Sequence, residues 1–143
     1  MKLEDIQKLW AEDSQMDRLN LDAEAVNIPK LHHKYTTLRS EEVLKLAKLK
    51  SEYNKLYLDK WEWYVDGPHK EGKEKGWKVV GHRIIKTEAD KYLNADEDII
   101  KLSLNISLQQ EKSDFLKGVV DSINNRSFQI NAATNFLKYT SGN

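Results

Sequence analysis

Two lines of apolar side chains run next to each other from Ile99 to Ile123, and nothing else in the 143-residue chain restricts its fold so tightly. Ile99, Leu102, Ile106, Gln109, Ser113, Leu116, Val120 and Ile123 follow in steps of three and four, with Ile100, Leu104, Leu108, Phe115 and Val119 as a second line beside them. Such steps return to one face of a helix, so the stretch predicts a single helix of roughly 30 residues. An apolar surface two lines wide predicts packing on two neighbours at once, as in a multi-chain bundle. The class that follows is all-α: a small helical protomer that packs with copies of itself in a multi-chain helical bundle.

The rest of the chain agrees with that class. Leu3, Ile6, Leu9 and Trp10 predict a first helix over residues 3–12. Leu21, Ala25 and Ile28 predict a second, which Pro29 should kink or restart because proline lacks an amide donor and crowds the preceding turn. Ser40-Glu41-Glu42-Val43 reads as a new start, a serine N-cap followed by acidic residues, for a helix running through Leu46, Leu49, Tyr53 and Leu56 to about Tyr64. Thr87-Glu88-Ala89-Asp90 and Asn94-Ala95-Asp96-Glu97 read as two further starts. Asn124-Asn125 ends the long helix, and residues 128–139 form a short last one.

Four of the six glycines, Gly67, Gly72, Gly76 and Gly81, fall within fifteen residues and follow or flank Pro68, which predicts a connection there. The chain therefore divides into an N-terminal helical half (1–66), a basic Gly-rich loop (67–83) and a C-terminal helical half (84–143) that carries assembly. Lys78-Val79-Val80 and Arg83-Ile84-Ile85 are β-friendly on either side of Gly81, so a short hairpin over residues 77–85 is the competing expectation. With 39% hydrophobic and 32% charged residues, a lone protomer would have a modest core, and association would bury more. The side chains expected to mediate it are Ile99, Leu102, Ile106, Leu108, Phe115, Val119, Ile123 and Phe128.

Net charge is zero, but the charge is unevenly placed. Residues 1–26 hold three Lys or Arg against seven Asp or Glu, residues 27–86 fourteen against eight, and residues 87–143 six against eight. A neutral chain binds a polyanion when its cations are gathered, and here they are gathered in the middle. Lys55, Lys60, Lys70, Lys73, Lys75, Lys78, Arg83 and Lys86 are the candidate phosphate contacts. Trp77, on the loop, is the candidate for stacking on exposed bases. Trp61 and Trp63 are expected in the core. Two residues apart on a helix, they point about 200° from one another. The bland alternative is a solvated lysine loop beside core aromatics.

Other chemistry finds no support. His32, His33, His69 and His82 do not form a metal set. Asp96, Glu97 and Asp98 sit where acids favour a helix start. Gly72-Lys73-Glu74-Lys75-Gly76 lacks the Walker spacing and the hydroxyl after Lys, and no nucleophile elbow occurs. The chain is therefore expected to be no enzyme and to need no cofactor. It has no cysteine, no apolar run near the roughly 20 residues that span a bilayer, and acidic residues at once after Met1, so it is expected in the cytosol. Arg126 either pairs with Asp121 of a neighbouring chain or is simply solvated.

The second half also carries an ordered pattern. Leu93-x-Ala95-Asp96-x-Asp98-x-x-Lys101 precedes Leu108, Asp114-Phe115, Gly118, Asp121, Ile123, Arg126, Phe128 and Ile130. Leu3-Glu4-Asp5-x-Gln7, Glu24-Ala25 and Gly67 after the aromatic helix end agree with it. The set resembles the UvsY family, the recombination mediators of T-even-type phages. It is dense from about Thr87 to Ile130 and scattered elsewhere. The resemblance implies a homo-oligomeric ring, heptameric in the family, that binds single-stranded DNA in the cytoplasm of the infected bacterial host. It also implies two protein partners, the phage UvsX recombinase and the phage single-strand-binding protein, with the mediator helping the first to replace the second. Where a relative has two basic residues before its aromatic helix end, Asp59 and Trp61 stand here, with Lys60 between them. The runner-up expectation is a structural or adaptor oligomer without direct DNA contact.

Overall fold

The structure is a computed structural model, and it describes residues 1–142. It contains helices α1 (Leu3–Asp13), α2 (Leu21–Val65), α3 (Lys70–Glu74), α4 (Ala89–Asn94), α5 (Glu97–Asn124) and α6 (Arg126–Thr140), with a 3-10 turn at Lys86–Glu88 before α4. No strand occurs among the described residues, so the fold is all-α and residues 77–85 carry no hairpin.

Two expected breaks in α2 do not occur. The helix passes through Pro29 and Ser40 without interruption for 45 residues. Pro29 deprives the Ala25 carbonyl of its helical donor, but both residues are exposed, so water can serve that carbonyl. Ser40 is likewise an exposed mid-helix residue rather than an N-cap. Tertiary burial of one face outweighs these local stop signals, as is usual for helices stabilised by packing.

The chain forms two compact units, the first from residues 1–44 and 109–143 and the second from residues 45–108, so α2 and α5 each contribute to both. In the first, Ile6, Leu31, Tyr35, Leu116, Val119 and Ile123 form the core, with Leu9, Trp10, Ile28, Leu38, Phe115 and Val120 packed against it. Arg126 is buried there. Its Nη2 donates to the carbonyls of Asp13 and Ser14, both at 2.9 Å, and so satisfies acceptors left open at the end of α1. Its guanidinium also lies 3.8 Å from the Glu24 carboxylate of its own chain, so it is not the simply solvated charge of the alternative expectation. Glu42 and Gln109, both buried, meet through a hydrogen bond from Gln109 Nε2 to the Glu42 carboxylate.

In the second unit Ala89, Leu93 and Ile99 are the buried centre, with Tyr53, Leu56, Tyr57, Trp61, Tyr64 and Val65 packed around them. Of the two apolar lines on α5, the first turns inward and the second stays largely open. This redistributes the residues expected to join chains. Ile99, Val119 and Ile123 are buried in their own chain, and Leu102, Ile106 and Phe115 are half-buried. Leu108 and Phe128 remain exposed, as do Ile100 and Leu104. The reason is that α2 of the same chain covers the first line, and residue spacing does not say which of two parallel lines a neighbour will cover.

Candidate nucleic-acid interface

The predicted loop is an ordered lobe on the C-terminal end of α2. Gly67 ends that helix with φ of 102°, a conformation open to glycine and strained for other residues. The chain then turns through Pro68 into α3, whose N-cap is His69. His69 Nδ1 accepts from the Gly72 amide at 3.1 Å, and its Nε2 lies 3.2 Å from the Asp59 carbonyl, which fixes the neutral tautomer with the proton on Nε2. Its ring meets Trp63 and Trp77 edge to face, with centroids 5.3 and 5.6 Å away, and the two indoles meet each other at 5.6 Å. Gly72 is buried among them. A Cβ at that position would overlap both indoles, so the cluster closes only around glycine. Trp63 Nε1 donates to the Lys78 carbonyl at 2.8 Å, holding the chain beyond Trp77.

Beneath this cluster lies a charged network. Asp96 caps α5, its Oδ1 accepting from the amides of Asp98 (3.0 Å) and Ile99 (3.1 Å). Its Oδ2 accepts from Tyr64 Oη at 2.6 Å and pairs with Lys60 Nζ at 3.0 Å. Lys60 Nζ also reaches Asp98 Oδ2 at 2.8 Å and sits 4.1 Å from the centroid of the Trp77 ring. Burial pushes the Asp96 carboxyl up, but the donated hydrogen bonds and the Lys60 ammonium outweigh it and hold the group below the usual carboxylate range. Burial, and then the bond to Asp96, push the Tyr64 hydroxyl up.

The predicted phosphate contacts thus separate into two kinds. Lys55, Lys70, Lys73, Lys75, Lys78, Arg83 and Lys86 are exposed. Lys60 is 3% exposed and committed to Asp96 and Asp98, so it organises the lobe from inside. Trp77 is half-buried, with its ring in contact with Trp63, His69, Lys60 and Lys75. Trp63 is buried under the lobe and Trp61 packs on the other side with the second core, as their helical spacing predicts. The sequence pattern does not point to His69, Asp96 and Asp98 as partners of this cluster. Only the acidic helix start at residues 96–98 is legible locally, because Lys60 and Asp96 are far apart in sequence. Among the described residues no group of three His, Cys, Asp or Glu could hold a metal ion, and no helix is long and apolar enough to cross a membrane.

Fold and site together define an all-helical protein whose exposed cations ride on an ordered aromatic lobe. The family model for "Recombination, repair and ssDNA binding protein UvsY" matches residues 9–143. The recombination protein uvsY of Enterobacteria phage T4 is 27% identical over 145 residues, covering 99% of each chain. Two crystal structures of the bacteriophage T4 recombination mediator protein UvsY superpose with TM-scores of 0.82. One is 25% identical over 99% of this chain and 98% of the other, and the second is 23% identical over 97% and 99%. The chain belongs to the UvsY family, whose members act in recombination and repair and bind single-stranded DNA.

Proposed function

We propose that the protein is a recombination mediator that holds single-stranded DNA on the exposed cations of its lobe while one protein leaves the strand and another arrives. The observation that carries this reading is the gathering of Lys70, Lys73, Lys75, Lys78, Arg83 and Lys86, all exposed, on one ordered segment of a UvsY-family chain. Each cation that neutralises a phosphate releases counterions, which gives affinity without sequence preference. Copies of the chain form a ring, seven-membered as the family resemblance implies, and many weak sites on it act at high effective concentration. The exposed Leu104, Leu108 and Phe128 supply apolar surface for that assembly. The arriving partner is the phage UvsX recombinase and the departing one the phage single-strand-binding protein, in the cytoplasm of the infected host. The protein works by affinity and geometry, with no chemical step and no cofactor.

The test is kinetic. A strand is first covered with the phage single-strand-binding protein, and the recombinase's strand-dependent ATP hydrolysis is then followed. Adding this protein should shorten the lag. An unchanged lag in the presence of tight strand binding would leave a binding protein that mediates nothing. An unchanged lag with no strand binding would favour the adaptor alternative.

A further inference from the structure

We propose that the lobe holds a pocket for one unstacked nucleobase of the bound strand, a deepening that rests on the single-strand reading above. A cavity of about 460 Å³ opens between the end of α2 and the segment that follows Trp77, with walls that include Trp63, Tyr64, Pro68, Val80, His82 and Arg83. Pockets of roughly 300–1,000 Å³ take small organic ligands, so this one takes a single nucleotide rather than a run of stacked bases.

The chemistry of the walls fits a base with a phosphate beside it. Tyr64, Pro68 and Val80 contribute ring and aliphatic surface to walls whose larger share is polar. The pocket is kept open by its own contacts. Trp63 Nε1 anchors the Lys78 carbonyl, His82 Nε2 lies 2.9 Å from Tyr92 Oη, and Ile84 is buried. Asp66 and His82 stand in the wall as polar groups for a base edge. Arg83 is exposed at the same wall, with exposed Lys78 and Lys86 nearby in the chain, so a strand whose base enters the cavity meets cations for its phosphates. A smaller cavity of about 280 Å³ lies beside Lys75, Trp77 and Lys78, but Asp96, Glu97 and Asp98 stand in its wall and would repel a phosphate. A paired base is stacked within its duplex and cannot enter, so the pocket also selects single strands.

The experiment compares oligothymidylate with an abasic deoxyribose-phosphate strand of equal length, which carries the same charge. The unmodified protein should bind oligothymidylate at least about fivefold more tightly, the lower end of what one held base contributes. Val80→Trp, which fills the cavity, should bind both strands with the abasic affinity. A margin that survives in Val80→Trp overturns the pocket, as does the absence of any margin in the unmodified protein. Failure of the unmodified protein to bind either strand overturns instead the single-strand reading beneath it. Should Val80→Trp lose its helical circular dichroism, photocrosslinking of the unmodified protein to 5-iodouracil strands decides. Adducts on the wall residues Trp63, Tyr64 or His82 support the pocket, and adducts confined to residues outside its walls overturn it.

Discussion

Lys60 was expected to meet phosphate and instead meets carboxylates. Its ammonium is held by Asp96 and Asp98 beneath the Trp77 ring, and removing it leaves the buried Asp96 carboxylate without its counter-charge. Lys60→Met should therefore lower unfolding free energy in urea by about 3–5 kcal/mol. Lys75→Met, at an exposed cation of the same lobe, should leave it within about 0.5 kcal/mol. Gly72→Ala tests the aromatic cluster in the same way. The added methyl has nowhere to go between Trp63 and Trp77, and overpacking of this kind costs about 1–3 kcal/mol. A Gly72→Ala protein with unchanged stability would mean that the cluster relaxes freely.

At the scale of elements, the contact between α2 and the start of α5 should impose a pH window. The Asp96 carboxyl titrates below its unfolded value, so its contribution is complete above about pH 4 and is lost as pH falls through the lower folded value. The Tyr64 hydroxyl is shifted the other way. Its contribution is complete below about pH 10 and is lost as pH rises through the higher folded value. Urea stability measured across pH should be flat between these limits and fall on both sides. In Tyr64→Phe the alkaline fall from this group should disappear and the acid fall become shallower, because the Asp96 carboxylate loses a donor. Helix α2 offers a second test. Proline in a helix interior is about 3 kcal/mol worse than alanine, and exposed Pro29 makes no contact that alanine would sacrifice in a core. Pro29→Ala should raise stability by up to that amount, read from the thermal midpoint.

For the whole molecule, the predictions concern DNA and assembly. If the exposed lysines neutralise phosphates, log affinity should fall with log salt by about 0.7 per phosphate engaged, and the proposed ring would multiply the contacts. Replacing Lys73, Lys75 and Lys78 with alanine should flatten that slope in anisotropy titrations and leave the solution mass unchanged. An unaltered slope would move the strand to other cations, such as Lys55. Assembly now points to the open line of α5. Leu104→Glu with Leu108→Glu should reduce the mass in sedimentation while keeping the helical signal, since both side chains are exposed in the protomer. A charge at Phe115, which packs on the first core, should lower stability first.

Local patterns in the sequence were enough for the all-α class, the helix at residues 97–124 with its acidic start and the opposed directions of Trp61 and Trp63, because spacing and helix-start composition act within a few residues of the chain. The cation-rich middle and the resemblance to UvsY were also legible there, since both are properties of order and composition. The tertiary structure alone decided that α2 ignores Pro29 and Ser40, that the inner line of α5 is used within the chain, that Arg126 caps α1, and that Lys60 pairs with Asp96. Each of these depends on a partner brought from a distant part of the sequence. Burial and ion pairing across such distances outweigh local propensities worth about 1 kcal/mol or less per ordinary residue, so the outcome rests on which surfaces meet rather than on which residues follow one another.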